Sequence, residues 1–293
     1  MSDYTYAVIT PMRNERENLV RLAASLEGQT VAPQAWVLVD SGSTDGTWEL
    51  ACDLARRLDW VVAVSRPEAR MEPGGPIVRA FHAGLSVLPG PSSVVVKLDA
   101  DISLEPDYFA CLLREFERDP RLGIAGGICY ERSDGEWLPT HVTGDHVRGA
   151  ARAYRHECLE AVLPLPEQVG WDGVDELKAQ SLGWRTRSLD SLRFYHHRKV
   201  GARDGGRAKR WQALGRGSYY MGYGPLYLVL RAALRTMRDR DVAALTMISA
   251  YAGEAIRRRP QHPDPGVRAE LRRQQRIAAL PLRLREALGR RAG

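Results

Sequence analysis

Two aspartates one residue apart, Asp99 and Asp101, close the stretch "VVVKLDAD" at residues 94–101. At the end of a buried strand, paired carboxylates repel each other and are costly to strip of water. A divalent cation shared between them removes that penalty, and hard oxygen ligands suit Mg²⁺ or Mn²⁺. Asp239 and Asp241 repeat the spacing inside "RTMRDRDVAA", among arginines and with no strand before them, which predicts a solvated helix boundary instead. Context separates the two pairs. Further groups able to move or hold a proton are Asp172, Asp175 and Glu176 in "WDGVDE", and the adjacent His196 and His197 that follow "LRFY".

The elements that must position these residues follow from hydrophobic period. "YAVIT" (6–10), "AWVLVD" (35–40), "VVAV" (61–64) and "VVVKLD" (94–99) read as strands. Helical spacing recurs between them over 14–29, 41–58 and 75–88, with Ser43 or Thr44 placed to cap the second helix. Regular βαβ alternation predicts a mostly parallel, Rossmann-like sheet covered by helices, with ligands at the carboxyl ends of its strands. Thr10, Asn14, Asp40, Asp99 and Asp101 all fall there. Beyond residue 130 the pattern loosens. "GIAGGICY" (123–130) reads as a strand relieved by glycine, 149–166 contains a helix ended by prolines, and 170–184 opens a helix near Asp172 and Asp175. Glycine-rich phosphate cradles, G-x-G-x-x-G or G-x-x-x-x-G-K-[ST], do not occur, so a diphosphate would be held through a carboxylate-anchored metal.

Taken together, "VITPMRNERENL", "VLVDSGSTDGTWE" and "VVVKLDADISLEP" resemble family-2 glycosyltransferases of the GT-A fold, over about residues 5 to 200. The resemblance implies that Thr10, Pro11, Asn14 and Asp40 hold the base of a nucleotide-sugar and that Arg79 contacts the donor. Asp99 and Asp101 would meet the ribose and the metal-diphosphate. Inverting members deprotonate the acceptor hydroxyl with a carboxylate of a Glu-Asp pair at a helix start; here the motif is "WDGVDE", which departs from that pair. Asp175 is the preferred base, with Asp172 and Glu176 as alternatives, at least one of the three being expected as a helix-capping acid. His197, ahead of His196, would complete the metal site, and Arg198 and Lys199 would neutralise the leaving diphosphate. Processive synthases of the family carry Gln-x-x-Arg-Trp; this chain keeps Arg210 and Trp211 but has Arg207 for the glutamine, which favours transfer of a single sugar. The implied role is hexosyl transfer to a glycan or glycolipid acceptor in bacterial surface polysaccharide or glycolipid synthesis. Dimerisation through C-terminal helices stays open.

Charge divides the chain. Residues 1–197 hold 20 Lys+Arg against 29 Asp+Glu, whereas 198–293 hold 22 against 7. An acidic catalytic part (1–200) followed by a basic helical region (201–259) and a basic linker with a terminal helix (260–293) is expected. Two uncharged runs, 217–230 and 242–253, fall short of the ~20 residues needed to span a bilayer. Flanked by arginines, they suit either helices lying on an anionic membrane surface or a packed helical subdomain. The four scattered cysteines exclude a zinc or disulfide framework, and a strand-like run near the start predicts no signal peptide, which together point to a cytoplasmic protein. Two alternatives compete. A nucleotidyltransferase acting on sugar phosphates would want a glycine- and lysine-rich first loop, which "TPMRNERENL" lacks. A non-catalytic basic adaptor for membrane or nucleic acid leaves Asp40, Asp99 and Asp101 unexplained, and nucleic-acid motifs are missing.

Overall fold

The computed structural model describes residues 4–68, 74–133, 135–140, 146–198, 206–239 and 241–276. Strands β1 (Tyr6–Met12), β2 (Ala35–Asp40), β3 (Val61–Ser65) and β4 (Val94–Leu98) alternate with helices α1 (Arg16–Glu27), α2 (Thr47–Arg57) and α3 (Gly75–Leu85). All four strands are parallel, in the order β3-β2-β1-β4. Their near-continuous burial is what helices on both faces require: Val8, Trp36 and Val96 pack to one side, Ile9, Val37 and Val95 to the other. The register sets Asp40 opposite Met12 and Lys97 opposite Ile9, so the ends of β1, β2 and β4 share one rim.

The chain then reverses direction. After the short β5 (Ile102–Leu104), helix α4 (Tyr108–Arg118) leads to β6 (Leu122–Ser133) and β7 (Glu136–Pro139). Strand β8 (Ala151–Arg155) inserts antiparallel between β4 and β6, and β9 (Arg185–His196) runs along β6 to meet β5. The stretch 149–166, expected to contain a helix ended by prolines, does hold α5 (His156–Val162), but β8 precedes it directly, a strand the sequence did not reveal. Helix α6 (Trp171–Ser181) carries the second acidic group.

Among the described residues four helices follow: α7 (Arg207–Met221), α8 (Pro225–Asp239), α9 (Thr246–Ile256) and α10 (Pro265–Gln274), with a 3-10 turn at Val242–Leu245. The uncharged run 217–230 is divided between α7 and α8, because Gly222 adopts φ 87° and ends α7. Gly215 admits the Met247 backbone so closely that an added Cβ would lie 2.3 Å from its carbonyl oxygen, which lets α7 and α9 pack together. Val267 and Leu271 of α10 bury against Val174, Leu177 and Met221, so residues 265–274, within the segment expected as a basic linker and terminal helix, form a helix docked on α6; 277–293 lie outside the described residues. No described helix is long and apolar enough to cross a membrane.

Candidate functional site

The rim is built from the loops after β1 and β2. Asp40 accepts from the backbone N–H groups of Gly42 and Ser43, each at 3.0 Å, and from the Ser43 hydroxyl. Ser43 Oγ accepts from Asn14 N–H at 2.9 Å, and the Asn14 amide oxygen accepts from Thr44 N–H at 2.8 Å. Asn14 sits at φ 53°, a left-handed conformation that asparagine tolerates better than most residues. Ser43 and Thr44, expected as helix caps, are therefore spent on locking Asn14 to Asp40. Gly46 occupies the cap position, and Asp45 accepts from Thr47 N–H at 3.0 Å. Thr10 behaves differently: it is fully buried, and its hydroxyl accepts from Trp36 Nε1 at 2.9 Å, beneath the rim. Arg79 grips Glu68 with two nitrogens and Glu167 with a third, stitching the segment after β3 to the segment before α6.

Asp99 and Asp101 stand where β4 ends. Asp99 N–H donates to Ala150 O, and the buried Lys97 ammonium binds one Asp99 oxygen as well as Gly149 O at 2.8 Å. Burial pushes the Asp99 carboxyl up, Lys97 opposes, and the Asp101 charge adds to the rise. Asp101 lies 3.2 Å from His196 Nε2 and 3.6 Å from Arg198. Burial resists its ionisation, but His196 and Arg198 prevail and hold it below the usual carboxylate value. One ligand atom each from Asp99, Asp101 and His196 can gather within 4.8 Å of one another. Two carboxylate oxygens and an imidazole fit Mn²⁺ or Mg²⁺, and the buried Nδ1 of His196 has no hydrogen-bond partner among the described residues.

His196, not His197, belongs to this group. Strand alternation decides it: Leu192, Phe194 and His196 face inward, and His196 pairs with Ile102 across to β5. His197 turns outward, its Nε2 2.8 Å from Ser103 Oγ and its ring edge-on to Trp137. Burial and then Arg21 bring its pKa down to about 4. Arg198 forks onto Glu15, binding both carboxylate oxygens.

The second acidic group is a saturated network. Arg152 of β8, fully buried, donates Nε and Nη2 to Asp175 at 3.0 and 2.7 Å, and Nη2 to the Asp172 carbonyl at 2.7 Å. It also donates to Val147 O and pairs with Glu176 at 2.9 Å. Tyr154 donates to Asp175 at 2.5 Å, while Val147 N–H donates to Glu176 and His146 Nδ1 lies 2.9 Å from it. Burial pushes the Asp175 carboxyl up to about 7, with Arg152 opposing the rise and the Glu176 charge adding to it. All three hydrogen bonds on its carboxylate, two from Arg152 and one from Tyr154, are donated to it, which favours the ionised form. Asp175, expected as the base, has no exposed side-chain surface. Glu176 is nearly as enclosed. Asp172 differs: it is half-buried, takes no hydrogen bond on its carboxylate among the described residues, and would lie 3.2 Å from a Cβ on Gly149. Lys97 ties the two groups together, since its ammonium also sits 5.6 Å from the centre of the Trp171 ring at the start of α6.

Sequence reasoning missed Arg152, whose "ARAYR" gives no alternating pattern because all five residues are buried. Trp211, kept from the Arg-Trp pair of the processive motif, is a packed aromatic: its ring packs with Leu228 and Met247, and its N–H donates to Asp241 at 3.0 Å.

Residues 7–161 match glycosyl transferase family 2. The chain belongs to that family. Its fold is shared with a mannosyltransferase, PcManGT from Pyrobaculum calidifontis in complex with GDP-Man and Mn²⁺ (20% identity, TM-score 0.62, covering 99% of this chain and 84% of that one). S. aureus TarS 1–349 is similar at 15% identity and TM-score 0.53, with 93% of each chain covered. GalNAc-T7 with UDP, GalNAc and Mn²⁺ matches at 13% identity and TM-score 0.58, covering 88% of this chain and 56% of that one. The chain is thus a GT-A glycosyltransferase, a fold and activity that the three sequence motifs anticipated.

Proposed function

We propose that the protein is an inverting glycosyltransferase that moves one sugar from a nucleoside-diphosphate sugar to an acceptor hydroxyl. The observation that carries this reading is the convergence of Asp99, Asp101 and His196 at the rim that also bears Asn14 and Asp40. A Mn²⁺ or Mg²⁺ held by that trio would supply a positive charge for the donor's diphosphate. Asn14, Asp40 and the backbone they lock form the shelf for the nucleoside. Thr10, beneath that shelf, supports it, and Pro11 continues the strand above Leu38's neighbour Val39. Arg79 positions the loops on the donor side through its carboxylate partners, and Arg198 adds positive charge near the leaving group.

Asp172 takes the acceptor proton in this scheme. As the acceptor oxygen bonds to the anomeric carbon, the bond from that carbon to the diphosphate oxygen breaks, and the electron pair leaves with the nucleoside diphosphate. Arg152, Asp175 and Glu176 fix the start of α6 and the 146–149 turn around Asp172. Catalysis resides in residues 1–200, with 201–259 and 260–276 forming the acceptor side. A role in surface polysaccharide or glycolipid synthesis at the cytoplasmic face of a membrane suits the arginine-rich helices and the exposed Leu226, Met237, Val242 and Ile256.

The test is product analysis. Sugar nucleotides incubated with the protein and Mn²⁺ should release nucleoside diphosphate, with inverted anomeric configuration at the transferred sugar. Release of pyrophosphate would favour nucleotidyl transfer instead, and retained configuration would remove the single-displacement scheme.

A further inference from the structure

A cavity of 1650 Å³ runs from Glu131, Arg148 and Asp172 along α6 and out between α7, α8 and α10. Pockets for small ligands occupy roughly 300–1,000 Å³, so this space exceeds the needs of one sugar. It excludes Asp99 and Asp101 but begins at Asp172, the acceptor side of the reacting centre. Its outer wall is one face of α8. Tyr227, Leu230, Arg231, Leu234, Arg235 and Met237 recur there at helical spacing, while on the opposite face Leu228 packs among Trp211, Ala244 and Met247 and Ala232 is buried.

That wall is both apolar and cationic. The carboxylates facing the outer part of the cavity are already answered: Asp119 by Arg185 at 3.1 Å and Glu270 by Arg273 at 2.7 Å. Arg231 and Arg235, one turn apart, line the same wall, and the Arg231 guanidinium lies 5.2 Å from the centre of the Tyr223 ring. The apolar strip does not stop at the cavity mouth. Leu230 is 41% and Met237 76% exposed, and Leu226 and Val229 carry the same surface outward at 72% and 44%. A neutral polar glycan would leave this strip facing water, and a free anion would use only the arginines.

We propose that this cavity is the acceptor site and that the acceptor is an anionic lipid, a saccharide joined through phosphate to a hydrocarbon chain. The sugar end reaches Asp172, the phosphate lies against Arg231 and Arg235, and the chain leaves along Leu226, Leu230 and Met237. This assignment rests on the glycosyltransferase reading above, because it takes Asp172 as the acceptor end.

Thermal denaturation with three probes tests it: geranyl phosphate below its micelle concentration, geraniol, and inorganic phosphate. Geranyl phosphate should raise Tm saturably, and the other two at equal concentration should not. Arg231→Ser with Arg235→Ser should weaken geranyl phosphate about tenfold or more, the expected loss of charge-assisted contacts. Leu230→Glu, at an exposed wall position, should do the same without touching the helix's packed face. Equal shifts from geraniol, equal shifts from phosphate, no shift at all, or a shift indifferent to these variants would each overturn the assignment. A nucleoside diphosphate with Mn²⁺ is the internal control. If it stabilises the wild type and both variants while geranyl phosphate does not, the lipid acceptor fails and the transferase stands. If it fails with the wild type, the donor site itself is wrong.

Discussion

Asp175 and Asp101 are both buried carboxylates beside a cation, yet their surroundings differ in completeness. Asp175 receives a two-pronged arginine and a tyrosine hydroxyl, with Glu176 satisfied beside it by Val147 N–H. Asp101 has an imidazole and a more distant guanidinium, with Asp99 close by and a His196 nitrogen left unpartnered. A filled network gives position, because each carboxylate oxygen of Asp175 and Glu176 already has a partner. An underfilled one keeps capacity for a ligand. On the proposed scheme the Arg152 network is structural and the end of β4 binds the donor's metal, with Asp172 the carboxylate of its group that takes no hydrogen bond among the described residues.

The largest effect that would break this division is on turnover. Asp172→Asn should lower transfer by about 10²–10⁴-fold, the usual range for loss of a general base, and leave Mn²⁺-dependent nucleotide binding intact. Full activity in that variant would return the proton to another group. Next comes stability. Arg152→Met strands Asp175 and Glu176 without their cation and should cost about 3–5 kcal/mol in denaturant unfolding. A cost near zero would mean the network is not what holds α6.

A smaller effect separates the two D-x-D pairs. Asp241 caps the 3-10 turn, accepting from Ala243 N–H at 3.0 Å and from Trp211. Asp241→Ala should therefore cost about 1–2 kcal/mol and leave metal-dependent nucleotide binding unchanged. Loss of metal dependence would make the second pair more than a cap. The smallest effect is a pH slope. Burial lowers the His146 pKa, but Glu176 outweighs it and lifts the folded value above the ordinary 6.5. The stabilisation from this contact is complete below that value and is lost as pH rises through the folded pKa. Unfolding midpoints measured upward from about pH 6.5 should fall, and His146→Gln should flatten that part of the profile.

The sequence made the donor half legible because parallel, doubly covered strands leave a plain signature: "AWVLVD" is β2 residue for residue, and "VVVKL" is β4. The strand-end rule then located Asp40, Asp99 and Asp101. What stayed hidden depended on partners distant in sequence. Nothing beside Asp175 reveals that a β8 arginine 23 residues earlier closes over it. Thr10 reads as a rim residue until Trp36 is seen to claim its hydroxyl from the neighbouring strand. The choice between His196 and His197 was within reach. Carrying the period-2 pattern of Leu192 and Phe194 one step further puts His196 inside.

The basic C-terminal region was legible only as a composition. Its two uncharged runs could have been surface-bound helices or a packed subdomain, and Gly215, Gly222 and Met247 show that packing uses much of them. The exposed strip on α8 is what packing leaves over.

Calorimetric titration of Mn²⁺ into the protein with saturating nucleoside diphosphate, in wild type and in Asp101→Asn, bears most directly on the site at the end of β4. One tightly held ion per chain, lost together with most of the nucleotide affinity in the variant, is the predicted result. Nucleotide binding that is equally tight in EDTA, or Mn²⁺ uptake indifferent to Asp101→Asn, would contradict it.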